Sequence, residues 1–236
     1  MGLLDTTREA FLLLFSGDRT LWGIVWVSIK VSVLALILAG PLAVAMGFVL
    51  AYVVFPGRRL LVILVQVFQS FPTVVVGLLL YLLLSRQGPL GALHLLFTQP
   101  AMILGQMAIV FPVLAAYTLT AVQGADPRAY ETAVSLSAGR LRAAMTTLRE
   151  VRFGVMAAVF MGFGRIISEI GCSLMVGGNI AGHTRNIPTA IALETSKGEF
   201  AQGVALGIVL IVLALSVNVA LAAVQGQGGM RREWQA

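Results

Sequence analysis

The 236-residue chain has one cysteine and two histidines, and Asp, Glu, Lys and Arg make up only 11% of it. An average soluble domain carries roughly 25% charged residues. Each shortage removes a class of function. Cys172 alone forms no intrachain disulfide and no cysteine metal cluster. His94 and His183 lie far apart in sequence. An intramembrane enzyme needs a nucleophile–base pair or a metal constellation; no His–Glu cluster is present, and Glu169 is the one carboxylate within the apolar runs. The chain has no Walker A sequence, so it is not itself an ATPase of that kind. Its start does not read as a cleaved signal peptide, because Asp5, Arg8 and Glu9 interrupt it and the apolar run from Phe11 to Phe15 is too short.

What is present is apolar. Hydrophobic residues make up 58% of the chain, and the mean hydropathy is +0.94. A soluble protein of this length cannot bury so much apolar surface, so the bilayer is the expected solvent. The net charge of +6 then reports topology rather than nucleic-acid binding. Five segments are long and apolar enough to span: residues 22–55, 60–85, 99–123, 153–177 and 201–225. A kink is expected at Gly40-Pro41, and Pro72 and Pro112 interrupt the second and third spans. Residues 1–20 read as interfacial, with an amphipathic helix over 3–16.

Five spans put the termini on opposite sides. With the N-terminus outside, the cytoplasmic segments hold nine basic residues and four acids, and the outer segments hold five of each. Lys and Arg collect in cytoplasmic loops, which predicts N-out and C-in. The whole chain, 1–236, reads as one transmembrane domain without an internal repeat. Many transporters have two related halves, so a five-span chain lacking them is expected to pair as a symmetric homodimer.

The cytoplasmic segment 124–152 is too patterned for a mere connection. Asp126 is placed as an N-cap with Pro127 at the first helical position. Ser137-Ala138-Gly139 is a break, and a second helix is expected from Arg140 to about Arg152. Small residues on the first helix allow close approach of another protein.

This segment resembles a known family. Glu131-Thr132-Ala133 followed by Leu136-Ser137-Ala138-Gly139 is similar to the EAA loop of ABC importer permeases. Ser137 stands where the family has Gly, and Arg149-Glu150 stand where it has Leu-Pro. Further stretches resemble the tungstate-type branch of the molybdate and sulfate group: Phe163-Gly164-Arg165, Ser168 to Gly171, Val176 to Ile180, and Thr189 to Gly198. The resemblance implies an all-α membrane protein with five transmembrane helices of the type I (molybdate-permease-like) fold, preceded by an amphipathic helix. It implies a homodimeric permease, two ATP-binding subunits that carry ATP and Mg, and an extracytoplasmic oxyanion-binding protein. This chain would bind no cofactor, would not be an enzyme by itself, and would sit in the prokaryotic inner membrane. ATP binding would close the ATPase dimer and switch the pathway by alternating access. Glu131, Ala133, Ser137 and Gly139 would seat the coupling helix on the ATPase. A stand-alone channel or ion-coupled secondary transporter is the competing reading, and it predicts flux without an ATPase.

Candidate pathway residues follow from polarity within spans. Arg165 and Glu169 are four apart and expected to share a helix face. Arg165 then either offers cationic contacts to a passing oxyanion or is neutralised by Glu169 in packing. Ser70, Thr73, Ser168 and Ser173 supply hydroxyls beside the Pro72 interruption, or bond backbone carbonyls one turn back. Gly177-Gly178-Asn179 reads as a helix cap and turn, or as a gate or docking surface. A short outer helix is expected around Pro188 to Thr195, and Lys30 is expected to snorkel.

Overall fold

The computed structural model describes residues 3–126, 132, 134, 135 and 139–229. Among these, the regular elements are helices: α1 (Leu3–Phe15), α2 (Arg19–Tyr52), α3 (Arg58–Gln69), α4 (Thr73–Leu84), α5 (Gln99–Gln123), α6 (Arg140–Glu150), α7 (Arg152–Ile167), α8 (Gly171–Gly177), α9 (Ile187–Lys197) and α10 (Phe200–Gly229). A single 3-10 turn, Gly91–Leu93, interrupts the α4–α5 connection.

The sequence dictates where these helices begin. Asp18 caps α2 by accepting from Thr20 N at 2.7 Å and Leu21 N at 2.9 Å. Asn186 and Thr189 form a capping box that starts α9, with Pro188 in its first turn. Gly57, at φ 89°, turns the chain from α2 into α3.

The core sits between α2 and α5. Val31, Ala35, Ala39, Ala43 and Gly47 recur every four residues along one buried stripe of α2. Small side chains let helix backbones approach closely. At Gly47 the approach is limiting, since a Cβ there would stand 2.5 Å from Ala115 O. Pro41 lies off this stripe on an exposed face, and α2 runs through it as one helix. The kink expected at Gly40-Pro41 therefore does not divide the helix. Pro112 is likewise carried inside α5.

Three helices, α2, α5 and α10, are long and apolar enough to span alone, or five spans if each bent pair counts as one. The segment expected as one interrupted span at 60–85 is two helices, α3 and α4, meeting at 100°. Each has 12 residues, about 18 Å at 1.5 Å per residue, so neither crosses ~30 Å of hydrocarbon by itself. Pro72 causes the break: it has no N–H, and it drives Phe71 out of the helical region. The 153–177 segment is also broken, α7 and α8 meeting at 59°.

A smaller core lies at the α9 end of the molecule. There Ala10 of α1, Leu21, Ile24 and Val25 of α2, Ile187 and Ala190 of α9, and Ala205 and Leu206 of α10 are buried together. The amphipathic α1 thus packs on the bundle through one face, leaving Leu12 and Phe15 exposed. Much of α10 is uncovered: Ile211, Val212, Leu215 and Val219 are all more than half exposed, a surface suited to lipid or a second helical subunit.

Candidate functional site

The two helix breaks meet. α4 begins at Thr73 and α8 begins at Gly171, where a Cβ would stand 2.6 Å from Val74 Cγ2. α8 is wedged between α4 and α5 through glycines. A Cβ on Gly77 would stand 2.8 Å from Cys172 Cα, and one on Gly105 would stand 2.6 Å from Cys172 Sγ. Cys172 is a buried packing residue at the centre of this clasp.

Arg165 and Glu169 do not share a face. α7 ends at Ile167, and the i,i+4 neighbour relation holds only along a continuous helix. Glu169 is 7% exposed and turns onto α8, where its Oε1 accepts from Cys172 N at 3.0 Å. Arg165 is exposed in the single chain, and its guanidinium forms no ion pair or hydrogen bond among the described residues. It stands about 20 Å along α7 by helical rise. It lines a cavity of about 260 Å³ together with Phe68, Gln69, Phe71, Leu79 and Ile109. This cavity opens at the α3–α4 elbow. An unpaired guanidinium in a span costs roughly 2.5–3.5 kcal/mol against lipid.

The hydroxyls divide. Ser70 and Pro72 are exposed at the elbow and Thr73 is half-buried. Ser168 Oγ donates to Gly164 O at 3.0 Å and to Arg165 O at 3.2 Å, back-bonding the frayed end of α7. Ser173 Oγ is buried without a partner among the described residues. Gln106 carries a function that sequence reading missed. Its Nε2 donates to Ile166 O at 3.2 Å, a carbonyl at the break that also accepts from Glu169 N at 3.2 Å. A lone amide in an apolar run was the available signal.

At the α9 end, Gly178 (φ 69°) and Asn179 (φ 51°) form the left-handed turn that closes α8. The turn is pinned by Asn179 Nδ2 donating to Thr189 O at 3.3 Å and by Ile180 N donating to Thr184 Oγ1 at 2.9 Å. Gly177 packs on Met102 of α5. Lys30 does not snorkel freely: its Nζ donates to Gln99 Oε1 at 2.9 Å, and Gln99 Nε2 donates to His183 O at 2.7 Å. Glu194 joins Arg185 (3.7 Å) and Lys197 (3.2 Å).

At the opposite end, Gly139 precedes α6 in extended conformation. Glu131, Ala133 and Ser137 lie outside the described residues.

Broken, apolar helices around an uncompensated arginine define a multi-pass membrane protein. Comparison with known proteins specifies which. No family model matches the chain. It is 38% identical to the tungstate uptake system permease protein of Campylobacter jejuni over 216 residues, 92% of this chain and 90% of that one. It is 31% identical to the molybdenum transport system permease protein of Escherichia coli K12, over 82% of this chain and 89% of that one. The fold matches a chain from the crystal structure of a bacterial alginate ABC transporter in complex with a pentasaccharide-bound periplasmic protein. The TM-score is 0.73 at 19% identity, covering 90% of this chain and 80% of that one. The chain belongs to the tungstate-type family of ABC importer permeases, within the molybdate, tungstate and sulfate group. It is therefore a non-catalytic, multi-pass inner-membrane subunit, and ATP hydrolysis takes place on a separate ATPase subunit.

Proposed function

We propose that this permease takes up tungstate or a related oxyanion, molybdate or sulfate, by alternating access. It works as a homodimer with two ATP-binding subunits, which hold ATP and Mg, and with an extracytoplasmic oxyanion-binding protein. The observation that carries the reading is Arg165, unpaired and exposed in the single chain beside the α3–α4 elbow. Two such arginines, one from each protomer, would face a shared pathway and offer forked donors to a dianion. Ser70, Thr73 and the Pro72 elbow lie on the same route. The Glu169 carboxyl is engaged at Cys172 N, off that route. Gly177 with the left-handed turn at Gly178 and Asn179 serves as gate or docking surface for the delivery protein. Glu131, Ala133, Ser137 and Gly139 seat the coupling segment on the ATPase.

The N-terminus lies outside and the C-terminus in the cytoplasm, supported by the excess of arginine in 56–59, 124–152 and 226–236. Single cysteines placed at either terminus in a Cys172→Ser background and labelled with an impermeant maleimide test this orientation; labelling of only the C-terminal thiol in intact cells refutes it.

The test of function is ATP-dependent uptake into proteoliposomes holding the permease, its ATPase and its binding protein, comparing tungstate, molybdate and sulfate. Uptake preferring tungstate supports the reading. Arg165→Gln is expected to lower uptake about tenfold or more, the worth of one charge-assisted hydrogen bond. Unchanged uptake removes Arg165 from the pathway.

A further inference from the structure

α2 has 34 residues, about 51 Å at 1.5 Å per residue. That exceeds the ~30 Å hydrocarbon layer and the ~40–45 Å of the whole bilayer. With its middle in the hydrocarbon, the first turns of α2 stand at headgroup level. Trp22 and Trp26, one turn apart, are 47% and 64% exposed there, as interfacial aromatics are.

Next to them is a cavity of about 240 Å³ between the first turns of α2 and loop 178–186, lined by Arg19, Thr20, Gly23, Gly182 and Arg185 among others. Two arginines from distant parts of the chain thus line one small space. Arg185 reaches Glu194 Oε1 at 3.7 Å through one terminal nitrogen, while its Nε is buried without a partner. The Arg19 side chain is exposed and makes no hydrogen bond or ion pair among the described residues. Of the nearby carboxylates, Asp18 caps α2, and Glu194 is shared between Arg185 at 3.7 Å and Lys197 at 3.2 Å. Gly23 and Gly182 leave room, for a Cβ at either would meet nothing within 4 Å.

We propose that this cavity binds a phosphate-class oxyanion, presented by the headgroup of an anionic phospholipid. Paired guanidinium forks match phosphate oxygens in geometry and charge. The volume lies below the usual ~300–1,000 Å³ of organic-ligand pockets, so it admits one headgroup or one free tetrahedral ion. The exposed tryptophans beside it place acyl chains next door and favour the lipid as source. The site is remote from Arg165, and it stands whichever side of the membrane this end of α2 faces.

The test uses the full permease in nanodiscs of mixed phosphatidylcholine and phosphatidylglycerol, with retained lipid measured after detergent extraction. A second arm measures binding of inorganic phosphate to phospholipid-free protein by equilibrium dialysis. Arg19→Gln removes one fork, Gly23→Leu fills the cavity at a helix-compatible position, and Arg19→Lys restores charge. Phosphatidylglycerol retained by the native chain over phosphatidylcholine should fall about tenfold in the first two variants and recover in part in the third. Phosphate binding with the same variant pattern, but no lipid preference, supports the oxyanion site and assigns it to a free ion. If neither lipid retention nor phosphate binding responds to Arg19→Gln and Gly23→Leu in chains that elute as the native protein, the proposal is overturned.

Discussion

The phenol of Tyr52, the last residue of α2, donates to Thr147 Oγ1 of α6 at 2.6 Å, across 95 positions of sequence. Thr147 is 1% exposed and donates onward to Ala143 O at 3.3 Å. The bond fastens the second helix of the proposed coupling segment to the longest helix of the bundle. Tyr52→Phe keeps the ring and its 4.7 Å stack on Phe48 but leaves Thr147 without its donor. We expect a loss of about 1 kcal/mol, read as a lowering of Tm by roughly 2–4 °C for a chain of this size. If the bond transmits movement of the coupling segment, uptake per ATP hydrolysed falls as well. An unchanged ratio with a lowered Tm makes the bond purely structural.

Glu169 offers a cleaner separation of structure from transport. Its Oε1 caps Cys172 N at 3.0 Å inside a buried break. Glu169→Gln retains an acceptor oxygen; Glu169→Ala strands a buried N–H, at about 1–3 kcal/mol. The expected order of thermal stability is native, then Gln just below, then Ala clearly lowest. Equal stability of the Gln and Ala variants would remove the capping role.

The membrane class, the helix cap at Gly177-Gly178-Asn179 and the helix after Gly139 were legible in the sequence because they depend on local chemistry: hydropathy, Asn and Gly. The expected helix around Pro188 to Thr195 appears as α9, Ile187–Lys197. The coupling residues rest on resemblance alone, and Glu131, Ala133 and Ser137 lie outside the described residues. What escaped was the consequence of breaks. Pro72 signalled an interruption, but the 100° elbow depends on α3 and α4 packing separately against α5. Arg165 and Glu169 have helical spacing, and only the end of α7 at Ile167 parts them. Lys30 reads as a snorkelling side chain until Gln99, 69 residues on, comes into reach. Long-range partners of this kind leave no trace in local pattern.

The clasp around Cys172 predicts a size limit at Gly77. A Cβ there meets backbone, Cys172 Cα at 2.8 Å, and Met175 Cβ at 3.1 Å. Backbone yields less readily than a flexible side chain. Gly77→Val should therefore destabilise by about 1–3 kcal/mol through overpacking, more than Gly40→Ala, whose Cβ would meet nothing within 4 Å. Thermal unfolding of both variants in one detergent compares them. Equal Tm values would mean α4 and α8 part without strain.

Acid sensitivity should trace in part to Asp18. Its carboxyl is held below the ordinary carboxylate value by the backbone N–H groups of Leu21 and Thr20. A group with a lowered pKa in the folded chain contributes its full stabilisation above the unfolded value, about 3.9. That contribution is lost as pH falls through the lower folded value. Asp18→Asn keeps an acceptor for the cap but does not titrate. The other carboxylates are common to both proteins, so their titration cancels in the difference between the two Tm values. Native stability should exceed that of Asp18→Asn at neutral pH, and the gap should narrow as the medium is acidified below the carboxylate range. A gap that is constant with pH would show that the charge on Asp18, as distinct from its oxygen, adds nothing to the start of α2.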